Sequence, residues 1–375
     1  MNHAVIVGYA RSPFHFAGKG ALARIRADDL AAAVVKELLT RTKIEVNDLE
    51  DLLLGCAFPE GEQGINVARL IAFIAGLPLT SGAATVNRFC GSSMQAIHNA
   101  AGAIALGAGE VFICAGVESM SRVPMMGFNP MPNPALAQQM PGSYMSMGIT
   151  AENVAKKYAI SRLAQEEFAV ASHHKSATAQ QLGKFTNELV VLGDVAVDGC
   201  IRADSSLQAL AGLKPAFDQN GVVTAGTSSP LTDGAAACLV VAESYAKKHQ
   251  LPILARIKSI AISGCSPELM GIGPVEATRK ALKRAGLTMA DIDIIELNEA
   301  FAAQAIACIR DLDLDINKVN LDGGALALGH PLGATGARIT GKAAALLVRE
   351  GKQFALATQC IGGGQGIATI LEAVA

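Results

Sequence analysis

One order of helices and strands occurs twice along the chain, once in each half. In both halves a helical pattern leads to a short apolar strand; these segments are residues 28–39 and 52–56 in the first half and 274–285 and 292–297 in the second. Further along, a turn with a reactive side chain precedes an Ala/Gly-rich helix and a second apolar strand; these segments are 90–91, 94–106 and 111–116 in the first half and 330–331, 334–348 and 354–358 in the second. The repetition predicts an α/β fold of two similar sheets, mixed but mostly parallel, that pack together with helices.

An insertion of different character, residues 118–231, separates the two halves. Methionine and proline cluster between residues 125 and 141, and a polar helical pattern extends from residue 150 to residue 184. Long Met- and Pro-rich insertions are typical of lids that shape a ligand pocket, and a mobile surface loop is the alternative. We therefore predict three units, which are residues 1–117 with 232–258, the insertion 118–231, and residues 259–375.

The composition supports this fold class and excludes several functions. Hydrophobic residues make up 51% of the 375 residues and charged residues 17%, which suits sheets covered by helices on both faces. The net charge is −2 with both signs interspersed, so we expect no nucleic-acid partner and no anionic membrane surface. No apolar run approaches the roughly 20 residues of a transmembrane segment. The first strand has no signal-peptide pattern before it and the eight cysteines are too sparse for a disulfide scaffold, so we expect a reducing, cytoplasmic location.

Cys90 lies in the stretch Asn-Arg-Phe-Cys-Gly-Ser-Ser-Met, where a strand is expected to end and a helix to begin. A free cysteine has a pKa of about 8.5 and is therefore mostly protonated at neutral pH. The start of a helix directs its positive end at the sulfur, which predicts a lowered pKa and a reactive thiolate. Taken alone, a Cys-Gly-Ser turn at such a junction is more often structural.

His330 stands in the stretch Gly-His-Pro-Leu-Gly, after residues 323–329, which we interpret as a backbone-permissive strand and turn. That segment has almost no polar side chains that would compete for the imidazole. His330 can therefore deprotonate Cys90 and then donate a hydrogen bond to a thioester oxygen. A lone histidine before proline is otherwise usually a surface or capping residue.

Cys360 precedes four glycines within six residues. Such a turn exposes backbone N–H groups and can form an oxyanion hole. A phosphate-binding loop is the alternative, but the spacing does not match the dinucleotide fingerprint and no Lys-Ser or Lys-Thr follows. A second near match, residues 336–343, lies inside a predicted helix and has alanine where a hydroxyl is needed, so we exclude nucleotide hydrolysis.

Asn298 follows an apolar strand in the stretch Asn-Glu-Ala-Phe, where helix capping alone would explain an asparagine. Considered together, two thiols, an imidazole and an amide on tight turns are the groups that carbon–carbon bond chemistry on thioesters requires.

These motifs closely resemble those of the thiolase family, the acetyl-CoA acyltransferases, over nearly the whole chain. The resembling stretches are residues 86–97, 298–304, 329–338 and 360–366. The resemblance implies the duplicated, five-layered α/β thiolase fold, with the insertion as the loop domain that holds coenzyme A. The chain departs from the family at Asp322, where many members have asparagine; we interpret this as a variation of the turn, with a carboxylate that shifts the pKa of His330 as the alternative.

The resemblance also implies the roles of the catalytic residues. Cys90 is the nucleophile that carries the acyl group, His330 is its base, and Cys360 is the acid and base at the α-carbon. The backbone N–H groups of Cys90 and Gly362 form one oxyanion hole. His330 forms a second oxyanion hole with a water held by Asn298.

Three further residues are implied as contacts of coenzyme A and the substrate pocket. Ser229 lies in the stretch that matches the pantetheine-contacting turn, Met147 matches the pocket-lining methionine, and Phe301 is expected to flank the pantetheine. The residue before Met147 is Ser146, whereas biosynthetic acetoacetyl-CoA thiolases usually carry histidine there. This difference favours the degradative members, which cleave 3-ketoacyl-CoA in fatty acid β-oxidation.

The resemblance implies a two-step ping-pong acyltransferase that uses coenzyme A as a substrate and needs no cofactor and no metal. The alternative within the family is a biosynthetic acetyl-CoA C-acetyltransferase. A decarboxylating condensing enzyme is disfavoured because it would replace the Cys360 thiol, and a cysteine hydrolase because it does not use a second reactive cysteine. The alternative from a different class is a non-catalytic acyl-CoA-binding protein.

The partners expected from the resemblance are coenzyme A and acyl-CoA. A homodimer or homotetramer is expected, with the strand at residues 111–116 and its neighbours at the sheet edge that thiolases pair across a two-fold axis. A β-oxidation multienzyme subunit is a further candidate partner.

Overall fold

The computed structural model describes residues 2–374. The strands are β1 Ala4–Arg11, β2 His15–Phe16, β3 Asp51–Gly55, β4 Gly82–Val86, β5 Val111–Ser119, β6 Thr232–Ala242, β7 Ala255–Gly264, β8 Ile294–Leu297, β9 Phe354–Ile361 and β10 Gln365–Glu372. The helices are α1 Ala27–Thr42, α2 Val67–Ala75, α3 Ser92–Leu106, α4 Pro134–Gln139, α5 Met147–Lys157, α6 Arg162–Gln181, α7 Leu207–Ala211, α8 Glu243–Lys248, α9 Gly273–Ala285, α10 Ala302–Asp311, α11 Ala325–Leu328 and α12 Leu332–Glu350.

The strands follow one order in both halves, as the sequence repetition predicted. The first half has the order β4-β3-β5-β6-β1 and the second half β8-β9-β10-β7, and the two meet where β1 pairs with β7 over two residue pairs. A single bridge between Ile295 and Val319 stands where the second half would have a counterpart of β4. In each half one strand, β6 or β10, is antiparallel to its neighbours. The other main strands of each half run the same way, so the prediction of mixed sheets is confirmed, although six of the nine strand pairings among residues 2–374 are antiparallel.

Helices α3 and α12 pack against each other between the two half-sheets and form the middle of five layers. Helix α1 covers the outer face of the first half-sheet, and α9 that of the second. Glycines let α12 approach its neighbours closely, because a Cβ at Gly336 would collide with the backbone of Met94 and one at Gly341 with the ring of Tyr9. The predicted five-layered, duplicated α/β fold is therefore confirmed.

The insertion holds helices α4 to α7, and the single helical pattern expected over residues 150–184 is wrong in detail. It forms two helices, because Ala159 has a positive φ of 49° and Ser161 caps the start of α6 with its side chain. The boundaries expected at residues 117 and 258 lie inside β5 and β7. The division into three units stays a prediction.

The sheet edge of the first half is not where the sequence placed it. Strand β5 lies between β3 and β6, so the segment 111–116 is interior, and β4 is the outermost strand formed by the described residues. Within residues 2–374, no helix is long and apolar enough to cross a membrane.

Candidate active site

Six of the eight residues predicted for the site line one cavity of about 190 Å³. These six residues are Cys90, Met147, Ser229, Phe301, His330 and Cys360. Of the other two, Asn298 contacts His330, and Gly362 lines an adjoining cavity of about 480 Å³ that shares Cys90 and Met147 with the first. The two halves and the insertion thus converge on one place.

Cys90 lies on the turn between β4 and α3, and side chains of the same turn hold its shape. Phe89 has a φ of 44°, a left-handed conformation that is uncommon for a bulky residue. The hydroxyl of Ser92 accepts a hydrogen bond from the N–H of Arg88 at 2.9 Å and donates one to the carbonyl of Phe89 at 2.6 Å. Strained turns that persist are concentrated at functional sites, and this turn presents the Cys90 thiol to the cavity.

The predicted lowering of the Cys90 pKa is wrong for the site without substrate. Burial raises the pKa of the Cys90 thiol to about 11, and it outweighs the hydrogen bonds from the backbone N–H groups of Gly362 and Cys90 that lower it. Burial disfavours the thiolate because the negative charge loses its hydration. The two N–H groups that were predicted to form an oxyanion hole are nevertheless those that reach the sulfur.

His330 is buried and fixed at both ends of its ring. Its Nδ1 lies 2.6 Å from the hydroxyl oxygen of Thr335, and its Nε2 lies 3.4 Å from the amide nitrogen of Asn298. Because the Thr335 hydroxyl donates to the carbonyl of Pro331 at 3.0 Å, it accepts from the Nδ1–H of His330. This pattern assigns the proton to Nδ1 and leaves Nε2 as an acceptor, which faces the amide nitrogen of Asn298 and is able to take a proton.

The imidazole of His330 is neutral in this environment. Its pKa is lowered to about 3, mainly by burial and to a smaller extent by the cation of Arg338. The carboxylate of Asp322, for which an effect on this pKa was the alternative, pairs with Arg349 at 2.6 Å and Lys342 at 2.8 Å. The segment before His330, interpreted as strand and turn, contains the short helix α11.

Asn298 is fully buried and is not a helix cap. Helix α10 begins at Ala302 with Phe301 at the cap position, three residues further on. The backbone N–H of Asn298 donates to the carbonyl of Thr358 at 3.0 Å, which joins it to β9. Its Oδ1 atom has no hydrogen-bond partner among residues 2–374. A buried, unpartnered amide oxygen is a suitable partner for a water molecule.

Cys360 lies on β9 and is buried among apolar side chains that include Met270 and Phe301. Burial raises its pKa, and the neighbouring Cys90 raises it further. The glycine turn behind it has positive φ at Gly363 and Gly364, and a side chain at Gly364 would collide with the backbone of Cys265. The structure therefore presents two neutral thiols to the same cavity.

The three residues predicted to contact coenzyme A and the substrate, Ser229, Phe301 and Met147, form walls of the cavity. The N–H of Ser229 donates to the carbonyl of Ala300 at 3.0 Å, which joins this turn to the segment that carries Phe301. The Phe301 ring packs edge to face on Phe217, with 5.9 Å between the ring centroids. Met147 begins α5 and lines both cavities.

Three residues that hold the catalytic turns in place were not predicted from the sequence. Glu118 at the end of β5 accepts hydrogen bonds from the N–H groups of Ala57 at 2.8 Å and Gly333 at 2.9 Å, and so joins the His330 turn to the first half. Gln359 donates from its side chain to the carbonyl of Cys90. Thr335 stands five residues after His330 inside the predicted helix, and that spacing is a signal for a contact with its ring.

Comparisons with known proteins agree with this geometry. Family models of the thiolase N-terminal and C-terminal domains match residues 4–244 and 251–373. The chain is 48% identical over 390 residues to the 3-ketoacyl-CoA thiolase of Bacillus subtilis (strain 168), over 99% of this chain and 100% of that protein. It is 49% identical over 389 residues to the 3-ketoacyl-CoA thiolase of Shewanella loihica (strain ATCC BAA-1088 / PV-4), with the same shares.

A crystal structure of human mitochondrial 3-ketoacyl-CoA thiolase in complex with CoA superposes with a TM-score of 0.92 at 38% identity and covers 100% of this chain and 98% of that one. The chain therefore belongs to the thiolase family, as the sequence motifs predicted.

Proposed function

We propose that this protein is a 3-ketoacyl-CoA thiolase, an acyltransferase that cleaves 3-ketoacyl-CoA with coenzyme A into acetyl-CoA and a shortened acyl-CoA. The observation that carries the proposal is that Cys90, His330 and Cys360 line one cavity, with the N–H groups of Cys90 and Gly362 at the Cys90 sulfur. The names of the full-length relatives support it.

In the first half-reaction His330 takes the proton of Cys90 at Nε2, and the thiolate attacks the 3-keto carbon. The ketone oxygen becomes an oxyanion, which the N–H groups of Cys90 and Gly362 stabilise. Collapse of the adduct breaks the bond between the α- and β-carbons and leaves a thioester on Cys90. The bonding electrons pass to the acetyl-CoA enolate, whose α-carbon takes the proton of Cys360.

The raised pKa of Cys90 and the lowered pKa of His330 fit a proton transfer that occurs when substrate is present. Burial disfavours each ion alone, but the transfer creates thiolate and imidazolium together, and their attraction offsets part of that cost. The protonated Nε2 then donates to the thioester oxygen of the enolate beside a water bound to Asn298.

In the second half-reaction the Cys360 thiolate takes the proton of an incoming coenzyme A. The coenzyme thiolate attacks the thioester on Cys90, and the acyl group leaves as acyl-CoA. Cys90 regains its proton from His330, which restores the neutral pair. The steps require proton and acyl transfer alone, so we propose that no metal or redox cofactor takes part.

The adjoining cavity of about 480 Å³ is the proposed site of the acyl tail. Five methionines and three aromatic residues contribute to its walls: Met125, Met126, Met131, Met145, Met147, Phe58, Phe89 and Tyr144. Such flexible apolar walls adapt to tails of different length, and each buried methylene adds about 0.8 kcal/mol of binding. This volume beside Cys90 favours a degradative role in β-oxidation over the acetoacetyl-specific alternative, whose substrate has no long tail.

The proposed partners are coenzyme A and acyl-CoA in the cytoplasm, a second copy of this chain, and a β-oxidation multienzyme subunit. Support for coenzyme A comes from the structural relative that was solved with CoA.

Steady-state thiolysis tests the proposal. The purified protein is mixed with coenzyme A and 3-ketoacyl-CoA substrates of graded chain length, and acetyl-CoA is measured. We expect turnover that depends on both substrates in a ping-pong pattern. Tight acyl-CoA binding without acetyl-CoA release would instead support the non-catalytic alternative.

A further inference from the structure

A buried ion pair lies behind the catalytic residues, between the two elements that carry them. Glu296 of β8 and Arg338 of α12 approach to 3.2 Å, and their side chains are 0% and 2% exposed. Strand β8 leads into Asn298, and α12 follows directly on His330. The segment 294–298 and the segment 330–350 thus contact each other twice, at Glu296–Arg338 and at Asn298–His330.

The alternation of a strand and the period of a helix place these contacts on facing surfaces. Glu296 and Asn298 are two residues apart, so they point to the same side of the chain. Thr335, which holds the His330 ring, and Arg338 are three residues apart and share one face of α12. The ion pair therefore lies behind the Asn298–His330 pair on the same interface.

Stability does not explain this ion pair. Both carboxyl oxygens of Glu296, and the Nε and Nη2 atoms of Arg338, lack a hydrogen-bond partner among residues 2–374. A buried pair with unsatisfied groups costs desolvation that its attraction barely offsets, so apolar replacements of similar volume are often neutral or stabilising.

A neighbouring buried pair shows the contrast. Arg11 binds both carboxylate oxygens of Asp198 at 2.7 Å, and Asp198 also accepts from the N–H of Phe14 at 2.8 Å. That pair is well hydrogen-bonded, as expected of a structural contact.

We propose that the Glu296–Arg338 ion pair is a positioning device that sets the separation of Asn298 from His330. The role in turnover rests on the proposed thiolase function. The attraction fixes β8 against α12, and a shift of about 1 Å at reacting groups costs on the order of a hundredfold in rate.

The charges around the pair agree with this role. The cation of Arg338 lowers the pKa of His330, after the larger effect of burial. Burial raises the pKa of Glu296 to about 7, against Arg338 and Lys342 that lower it, while Asp322 and Glu188 raise it. The carboxyl group therefore ionises, and the pair forms fully, as the pH rises through about 7.

The test uses the full-length variants Glu296→Gln and Arg338→Met, the conservative variant Arg338→Lys, and the buried-pair control Asp198→Asn. For Glu296→Gln we expect kcat for thiolysis to fall about tenfold at pH 8 with KM for coenzyme A within twofold. Below pH 7 Glu296 of the wild type is itself mostly protonated, and glutamine mimics that uncharged form. The difference in kcat between Glu296→Gln and wild type should therefore shrink below pH 7. Arg338→Lys is expected to recover most of the kcat that Arg338→Met loses, and Asp198→Asn to lower the melting temperature with kcat nearly unchanged.

A second readout does not depend on turnover. NMR titration of the His330 ring is expected to show a higher pKa in Arg338→Met than in wild type, because a repelling cation is gone, and a nearly unchanged pKa in Asp198→Asn. An active wild type whose kcat and pH profile are unchanged in Glu296→Gln and Arg338→Met overturns the positioning role. An inactive wild type counts against the thiolase function. A His330 pKa that is the same in Arg338→Met and in wild type then overturns the placement of the Arg338 charge behind the His330 ring. If Arg338→Met does not fold, Glu296→Gln and Arg338→Lys decide the question.

Discussion

Burial and local hydrogen bonds act in opposite directions on the Cys90 thiol. The turn before α3 directs N–H groups at the sulfur, as the motif indicated, but the walls around it come from distant parts of the chain. Desolvation by those walls could not be derived from the residues beside Cys90. The sequence therefore predicted that Cys90 belongs to the site, and the structure places it at the cavity, but the predicted direction of its pKa shift is wrong.

Alkylation of Cys90 in the enzyme without substrate should follow this raised pKa. Below a pKa of about 11, the thiolate fraction rises about tenfold per pH unit, so the rate with iodoacetamide should climb steadily from pH 7 to pH 9.5. The rate is read from the Cys90 peptide by mass spectrometry, with Cys90→Ala as the control. A plateau that begins near pH 7 would contradict the raised pKa.

Cys360→Ala should uncouple the two half-reactions. The thiol is needed for proton transfer at carbon and to activate coenzyme A, and such groups contribute roughly 100- to 10,000-fold. Thiolysis should fall by at least this amount, while the fold and coenzyme A binding persist. Cys265→Ala is the control, since Cys265 is another free thiol, partly buried, that does not line the cavity. Near-normal turnover in Cys360→Ala would remove its assigned role.

At the scale of elements, the sequence predicted best where one segment carries its own signal. Helices α1, α3, α9 and α12 and strands β3, β5, β8 and β9 lie where the repeated pattern placed them, within a few residues. Strand β6 was not predicted, because its run of alanines after Gly234 has no strand periodicity. At Gly234 the strand lies so close to Phe14 and Pro331 that a side chain there would collide with them. The break at Ala159 between α5 and α6 depends on a positive φ, a conformation that an alanine in the sequence does not indicate.

For the site, too, the sequence predicted the residues that lie in short motifs but not the contacts between distant segments. Short motifs predicted Cys90, His330, Cys360 and Asn298, whereas the contacts that hold them come from residues far away in sequence. Glu118 binds Gly333 across 215 positions, and Gln359 binds Cys90 across 269. The pairing of Asp322 with Arg349 and Lys342 could not be derived from the sequence either, so both interpretations of Asp322 stayed open there.

The Met-rich segment of the insertion should set the chain-length preference. We expect kcat/KM to rise from acetoacetyl-CoA to a 3-ketoacyl-CoA of intermediate length, because 0.8 kcal/mol per methylene corresponds to about fourfold. Ser143 lines the larger cavity, so Ser143→Trp should reduce kcat/KM for the longer substrate and leave acetoacetyl-CoA nearly unchanged.

The matched control for this prediction is Ser244→Trp, which places the same side chain on α8 outside both cavities. Highest activity with acetoacetyl-CoA, and loss of activity as the chain grows, would assign the protein to the acetoacetyl-specific alternative with the thiolase chemistry intact.

At the scale of the whole molecule, the outer edge of the first half-sheet suggests how two copies associate. Strand β4 ends four residues before Cys90, and apolar side chains beside it are exposed, Phe73 by 49% and Leu79 by 79%. Open strand edges and exposed apolar side chains favour pairing with another chain. We expect a dimer through this edge, in place of the segment 111–116.

Light scattering at micromolar concentration tests the dimer. The double variant Phe73→Glu/Leu79→Glu should shift the mass toward a monomer. The control Leu182→Glu, at a leucine that is 67% exposed and directly follows α6, should not. A wild type that is monomeric at these concentrations would contradict the expected association.

The central claim is that Cys90 carries the acyl group while Cys360 handles protons. Brief incubation with an acyl-CoA, followed by acid quench and peptide mapping by mass spectrometry, tests it most directly. We expect one thioester adduct per chain on Cys90 in wild type and no adduct in Cys90→Ala. An adduct on Cys360, or the absence of an adduct on every cysteine of the wild type, would contradict the account.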